Sequence, residues 1–273
     1  ENRSIADPSD SLLNDLISAS LNSTVKLFPS ESQAKRYFKE LVAWRPSYSD
    51  DDVTGQKNQY KKELAKLVSE TLSRSIVPAL SDIELTKKNF KKLKDFYNDV
   101  KSPEILIAFS YFAAADINEA NSVKEIIRRG FQLGESETLA FSTFALLRWR
   151  ELEKCQATDE LILRLVHLIN YNLPTRIGAP LWTILQLLKQ GYLSKDNIRS
   201  VTDSVPIIFD SCGYQNILPS SRDSISNSLV RATCVNLAQE IIDKGFEADD
   251  LYRVLEEAKE DPLPEVRFAN HKC

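Results

Sequence analysis

Glycine is scarce in this chain, occurring 7 times in 273 residues against a usual share of about 7%. Few positions can therefore take positive φ without strain. That excludes a glycine-rich phosphate loop, a dinucleotide-binding fingerprint and a hairpin-dense β-sandwich. Methionine is absent altogether. Histidine occurs only at 167 and 271, and the four cysteines, at 155, 212, 234 and 273, lie far apart with no Cys-x-x-Cys pair. His271 and Cys273 supply two ligands in a tail segment, short of the four a structural zinc needs, so neither a metal nor a cofactor is expected. The longest apolar stretch, 105–109 resuming at 111–115, is about half of the roughly 20 residues of a membrane span. No charged-then-apolar signal region opens the chain. A reduced, intracellular and cytoplasmic setting is expected, with no membrane partner.

Charge of one sign is also missing. The chain has 35 Lys and Arg against 39 Asp and Glu, a net charge of −4, which argues against a polyanion as the main partner. One segment departs from that balance: 57–101 has eleven basic and six acidic residues, densest at Lys87, Lys88, Lys91, Lys92 and Lys94. A solvated helix surface explains it, with an acidic or phosphate-bearing contact as the functional alternative. No His-Glu-x-x-His, Gly-x-Ser-x-Gly or Walker sequence occurs, and no catalytic residue is assigned. His167, between Val166 and Leu168, reads as a histidine at the edge of a packed face. Cys234 shares the apolar stripe of Val230, Leu237, Ala238 and Ile241, which makes it a small buried hydrophobe rather than a nucleophile.

What the chain has in abundance is helical periodicity. Apolar residues recur at i, i+3, i+4 and i+7 along segment after segment. Tyr60, Leu64, Leu67, Val68, Leu72 and Ile76 form one long stripe that Pro78 should end. Ser30 with Gln33 makes a capping box, and Ser81 with Glu84 is expected to cap the lysine-rich helix. Ser102-Pro103 opens a helix through 115 that is apolar almost all round and should be central. Thr158 caps 159–169, Pro180 is expected to open a helix that Gly191 stops, Pro206 to interrupt one over 195–212, and Gly245 to stop one over 223–243. About a dozen helices and no convincing strand follow. Helices joined by loops of about 3–8 residues read as successive antiparallel hairpins, packing as a bundle or a stacked superhelix.

The C-terminal segment discriminates between these. Asp261, followed by Val266-Arg267 and then Ala269, resembles the start of the second helix of a HEAT repeat, and the amphipathic 249–260 stands where the first helix should. Val230-Arg231-Ala232 echoes it 36 residues earlier, near the repeat's length; at 225 Ile stands in place of the repeat's Asp. The resemblance implies an all-α fold of stacked helix hairpins, a HEAT-like α-solenoid over 101–273, with 1–100 as a cap or separate subdomain. It implies a scaffold or regulatory module whose curved face holds a protein partner, or other domains of a longer parent chain, and it gives Asp261 and Arg267 a structural ladder role between repeats.

The candidate interaction surface is Arg128, Arg129, Arg148, Trp149 and Arg150, because Arg and Trp are enriched at binding hot spots. Trp149 reads equally as core, since Phe141, Phe144, Ala145 and Leu147 crowd the same helix. Two rival readings are a HEAT-like nucleic-acid-binding or DNA-repair module, against which the acidic balance counts, and an all-α enzyme acting through carboxylates.

Overall fold

The computed structural model describes residues 29–46, 56–115, 117–132, 135–153, 157–169, 174–212 and 222–269. Among these residues every regular element is helical, and helix accounts for 83%. The chain divides into two compact units, Glu1–Val123 and Lys124–Cys273.

The first unit contains α1 (Glu31–Leu41), α2 (Gln56–Thr71), α3 (Lys87–Val100), α4 (Leu106–Ala115) and the start of α5 (Ile117–Gln132). The capping box at its first helix is present: the Ser30 hydroxyl accepts from the Gln33 N–H and the Gln33 side chain from the Ser30 N–H. Helix α2 does not stop cleanly at Pro78. It widens into a π-helical turn over Leu72–Ile76 and tightens into a 3-10 turn over Val77–Ala79. A proline that lacks its N–H and crowds the preceding turn favours such a departure. Of the expected stripe, Val68, Leu72 and Ile76 are buried while Tyr60 stands in solvent. Helix α3 is capped by Thr86, whose hydroxyl accepts from the Asn89 N–H at 3.3 Å, not by Ser81.

Helix α4 is central, as its all-round apolar character requires. Phe109 packs edge-on against Phe90 and Tyr97 at 5.5 and 5.8 Å between ring centroids, and Phe112 meets Phe90 at 5.9 Å and Phe38 at 6.3 Å. These rings tie α4 to α1 and α3 within the first unit. Below them Glu104 is buried, its carboxylate accepting from the Ser102 hydroxyl and lying 3.6 Å from Lys66 Nζ.

The second unit continues with α6 (Ser136–Leu152), α7 (Asp159–Ile169), α8 (Pro174–Lys189), α9 (Lys195–Ser211), α10 (Arg222–Asp243), α11 (Asp249–Lys259) and α12 (Pro264–Ala269). Alternate helices touch: α6 packs on α8, α8 on α10 and α10 on α12, while α7 packs on α9 and α9 on α11. Successive helices also meet from α6 to α12. Each of α7, α9 and α11 presents one apolar stripe inward, such as Leu161, Leu165 and Val166 on α7 or Leu251, Val254 and Ala258 on α11.

Local signals set most of the ends. Gly191 and Gly245, at φ +75° and +82°, close α8 and α10 in the left-handed conformation, and the N–H groups of Tyr192 and Phe246 reach back to Leu187 and Ile241. The prolines behave otherwise than expected. Helix α8 begins at Pro174 and runs through Pro180, and α9 runs unbroken through Pro206. Val201, Val205, Ile208 and Phe209 are buried on one side of α9. Their burial outweighs the roughly 3 kcal/mol that a proline costs a helix interior. At Gly130 on α5, a Cβ would lie 1.8 Å from Ser142 Oγ and 2.9 Å from Ser142 Cβ. Glycine is therefore what lets α5 and α6 approach so closely.

Candidate functional site

The five residues of the expected surface go to different places. Trp149 is fully buried on the inner side of α6 with Leu139 and Leu146, and so is core rather than surface. Its spacing from Leu146 and Leu139, three and ten residues, already puts it on their helical face.

Arg150 is also drawn inward, 14% exposed, where Nη1 donates to Glu153 at 2.6 Å and lies 3.3 Å from Asp159. Thr158 donates to the same Glu153 carboxylate, and Tyr192 lies under the guanidinium at 5.1 Å. Glu153 is 3% exposed. The group therefore ties the end of α6 to the start of α7, and the paired charge of Arg150 is mostly withdrawn from solvent. Arg148 is exposed and paired with Glu151 at 2.8 Å, and Glu151 also accepts from Gln190 at 3.1 Å. Both arginines thus face carboxylates of their own chain.

Arg128 and Arg129 separate as well. Arg129 is exposed. Arg128 pairs with Glu125 at 2.7 Å and, together with Phe131 and Gln132 of α5 and Arg164, His167 and Leu168 of α7, lines a groove of about 290 Å³. Arg164 is not among the candidates drawn from the sequence, and His167, expected at the edge of a packed face, is exposed. A signal was available in the matched spacings Arg128-x-x-Phe131 and Arg164-x-x-His167, each putting a guanidinium and a ring one turn apart on one helix face.

A second surface feature lies on α6 and α8. Phe141, Phe144 and Trp182 form an edge-to-face series with centroids 6.0 and 5.6 Å apart, and Trp182 is 43% exposed. The lysines of α3 stand apart, in the first unit. Lys87, Lys88 and Lys91 are exposed, and Lys92 and Lys94 are half-buried.

Asp261, just before α12, is buried and its carboxylate binds Arg231 of α10 through Nε at 3.0 Å and through Nη2. Arg231 also donates to the Phe209 carbonyl at 2.7 Å and lies 3.7 Å over the Phe209 ring. The other Asp261 oxygen accepts from the Leu263 N–H at 2.9 Å, and Arg267 donates to the Asp261 carbonyl. The carboxylate's guanidinium partner is therefore Arg231, thirty residues upstream, while Arg267 holds the backbone. On the exposed side Arg253 of α11 forks onto Asp210 at 3.0 and 3.1 Å and also meets Glu257 at 2.9 Å. These carboxylates hold its charge firmly.

Cys212 and Cys234 are buried free thiols, and burial raises both above the ordinary cysteine range. His271, Cys273 and Cys155 lie outside the described residues. Among the described residues no helix is long and apolar enough to cross a membrane. No protein-family model, no curated protein and no solved structure matches this chain.

Proposed function

We propose that the second unit is a HEAT-like α-solenoid and that it serves as an interaction scaffold, holding a protein partner on the helix faces that its stacking leaves uncovered. The alternate-helix packing from α6 to α12 supports the stacked reading. So does the spacing of the buried pair, which links Arg231 in one hairpin to Asp261 at the start of the next second helix. Contact surfaces in such stacks are built from one set of residues per helix pair.

The observation that carries the scaffold role is Trp182, 43% exposed, at the end of an edge-to-face series with the half-buried Phe144 and Phe141. The same helices bury Leu139, Leu146 and Trp149 on α6 and Ile177, Leu181 and Leu188 on α8. Trp182, by contrast, leaves much of its ring in solvent. Tryptophan and its neighbouring rings are the usual anchors of a protein interface, because they bring a large contact area with little rotamer entropy to lose.

The test is to isolate a partner with the full chain as bait, purify it, and titrate it against the wild type and Trp182→Ala. Loss of about tenfold in affinity, roughly 1.4 kcal/mol, with unchanged thermal unfolding, is the expected result. Equal affinity in the two proteins would remove the aromatic series as the anchor.

A further inference from the structure

The groove between α5 and α7 brings two arginines together. From α5 come Arg128, Phe131 and Gln132, and from α7 come Arg164, His167 and Leu168, so each helix lends an arginine and, one turn later, a ring. No carboxylate lines it. The Arg128 and Arg164 side chains are 37% and 45% exposed, and each is held by a carboxylate one turn back on its own helix. Glu125 engages Nη2 of Arg128, and Glu160 engages Nε and Nη2 of Arg164. A guanidinium has five N–H donors. The ion pairs orient both arginines and leave N–H groups of each for a ligand.

We propose that this groove binds a phosphate monoester with an apolar stem, in the form of a phosphotyrosine side chain on a peptide. The forks of Arg128 and Arg164 match phosphate oxygens in the charge-assisted geometry that arginine favours. Phe131 and Leu168 offer apolar surface to the ring. A cavity of about 290 Å³ suits one side chain and not a helix. A nucleic acid is disfavoured here, since Glu125 and Glu160 lie beside the arginines and would repel the flanking phosphates of a continuous polyanion. The proposal does not rest on the aromatic series of α6 and α8, and the two are tested through different residues.

Titration of the full chain with a short neutral peptide bearing one phosphotyrosine, with its tyrosine form, with inorganic phosphate and with a single-stranded oligonucleotide tests it. The phosphopeptide should bind about tenfold or more tightly than the tyrosine form, weaken with added salt, and be displaced by inorganic phosphate. The Arg128→Gln/Arg164→Gln pair should abolish the preference. Gln132→Glu keeps both ion pairs and places a carboxylate in the groove, so it should weaken phosphopeptide binding without lowering the melting temperature. Equal affinity for the two peptides, an undiminished preference in either variant, or tighter binding of the oligonucleotide would overturn the proposal.

Discussion

The two units solve the same packing problem with different materials. In the first, five aromatic rings on α1, α3 and α4 interlock around Phe109 and Phe112, and the long helix beside them is broken into π and 3-10 turns. In the second, the interior is largely aliphatic around Trp149, the helices are regular, and buried or half-buried ion pairs tie one hairpin to the next. Rings supply area with little directional demand, so they tolerate irregular backbone. A buried guanidinium and carboxylate stabilise only one register, since a slip leaves each charge unpaired at a cost of several kcal/mol. The first unit is cemented and the second is indexed.

That contrast can be broken from either side. Asp261→Ala leaves Arg231 buried without its carboxylate and should cost about 3–5 kcal/mol. Phe109→Ala removes the ring at the centre of the aromatic cluster and should cost about 3–5 kcal/mol as well. Hydrogen exchange separates the two: Asp261→Ala should loosen amides of α10 to α12 and spare α3 and α4, with the reverse for Phe109→Ala. Loss of protection throughout the chain in both variants would mean that the units do not open independently.

A smaller effect comes from Arg267→Ala. It deletes a single hydrogen bond to the Asp261 carbonyl and should cost about 0.5–1.5 kcal/mol in thermal unfolding. A cost near that of Asp261→Ala would make Arg267 an equal member of the ladder. Arg148→Ala removes an exposed pair with Glu151 and should change stability by about 0–1 kcal/mol, the smallest change of the four.

Much of the fold was legible in the sequence because its determinants are local. Ser30 and Gln33 cap α1 within four residues, and Gly191 and Gly245 end their helices through their own φ. The errors arose where a local breaker met a favourable tertiary setting. Pro180 reads as a helix start and Pro206 as an interruption, yet buried neighbours such as Leu181, Val205 and Phe209 hold the helix through both. The site was half legible. Arg128 stood out by composition, but its companions Arg164 and His167 lie 36 and 39 residues away in the chain, and nothing in a single sequence says that α5 and α7 share a groove. Trp149 reads both ways in the sequence because tryptophan is both a leading hot-spot residue and the largest core residue, and its phase relative to Leu146 separates the roles.

Cys212 and Cys234, closed off at the end of α9 and in the middle of α10, give the second unit a built-in clock. A thiol reagent added to the native chain meets neither until the surrounding helices part. With Cys155 and Cys273 replaced by serine, the labelling rate at each remaining thiol would report how often α9 and α10 open. Alkaline pH should quicken that clock. Burial keeps both thiols protonated above the ordinary value of 9.0, whereas the opened chain releases those protons there. Stability associated with the two thiols is therefore complete below about pH 9 and declines as pH rises beyond it. Labelling that tracked thiolate formation alone, with no added acceleration from opening, would show that α9 and α10 breathe without regard to the charge they exclude.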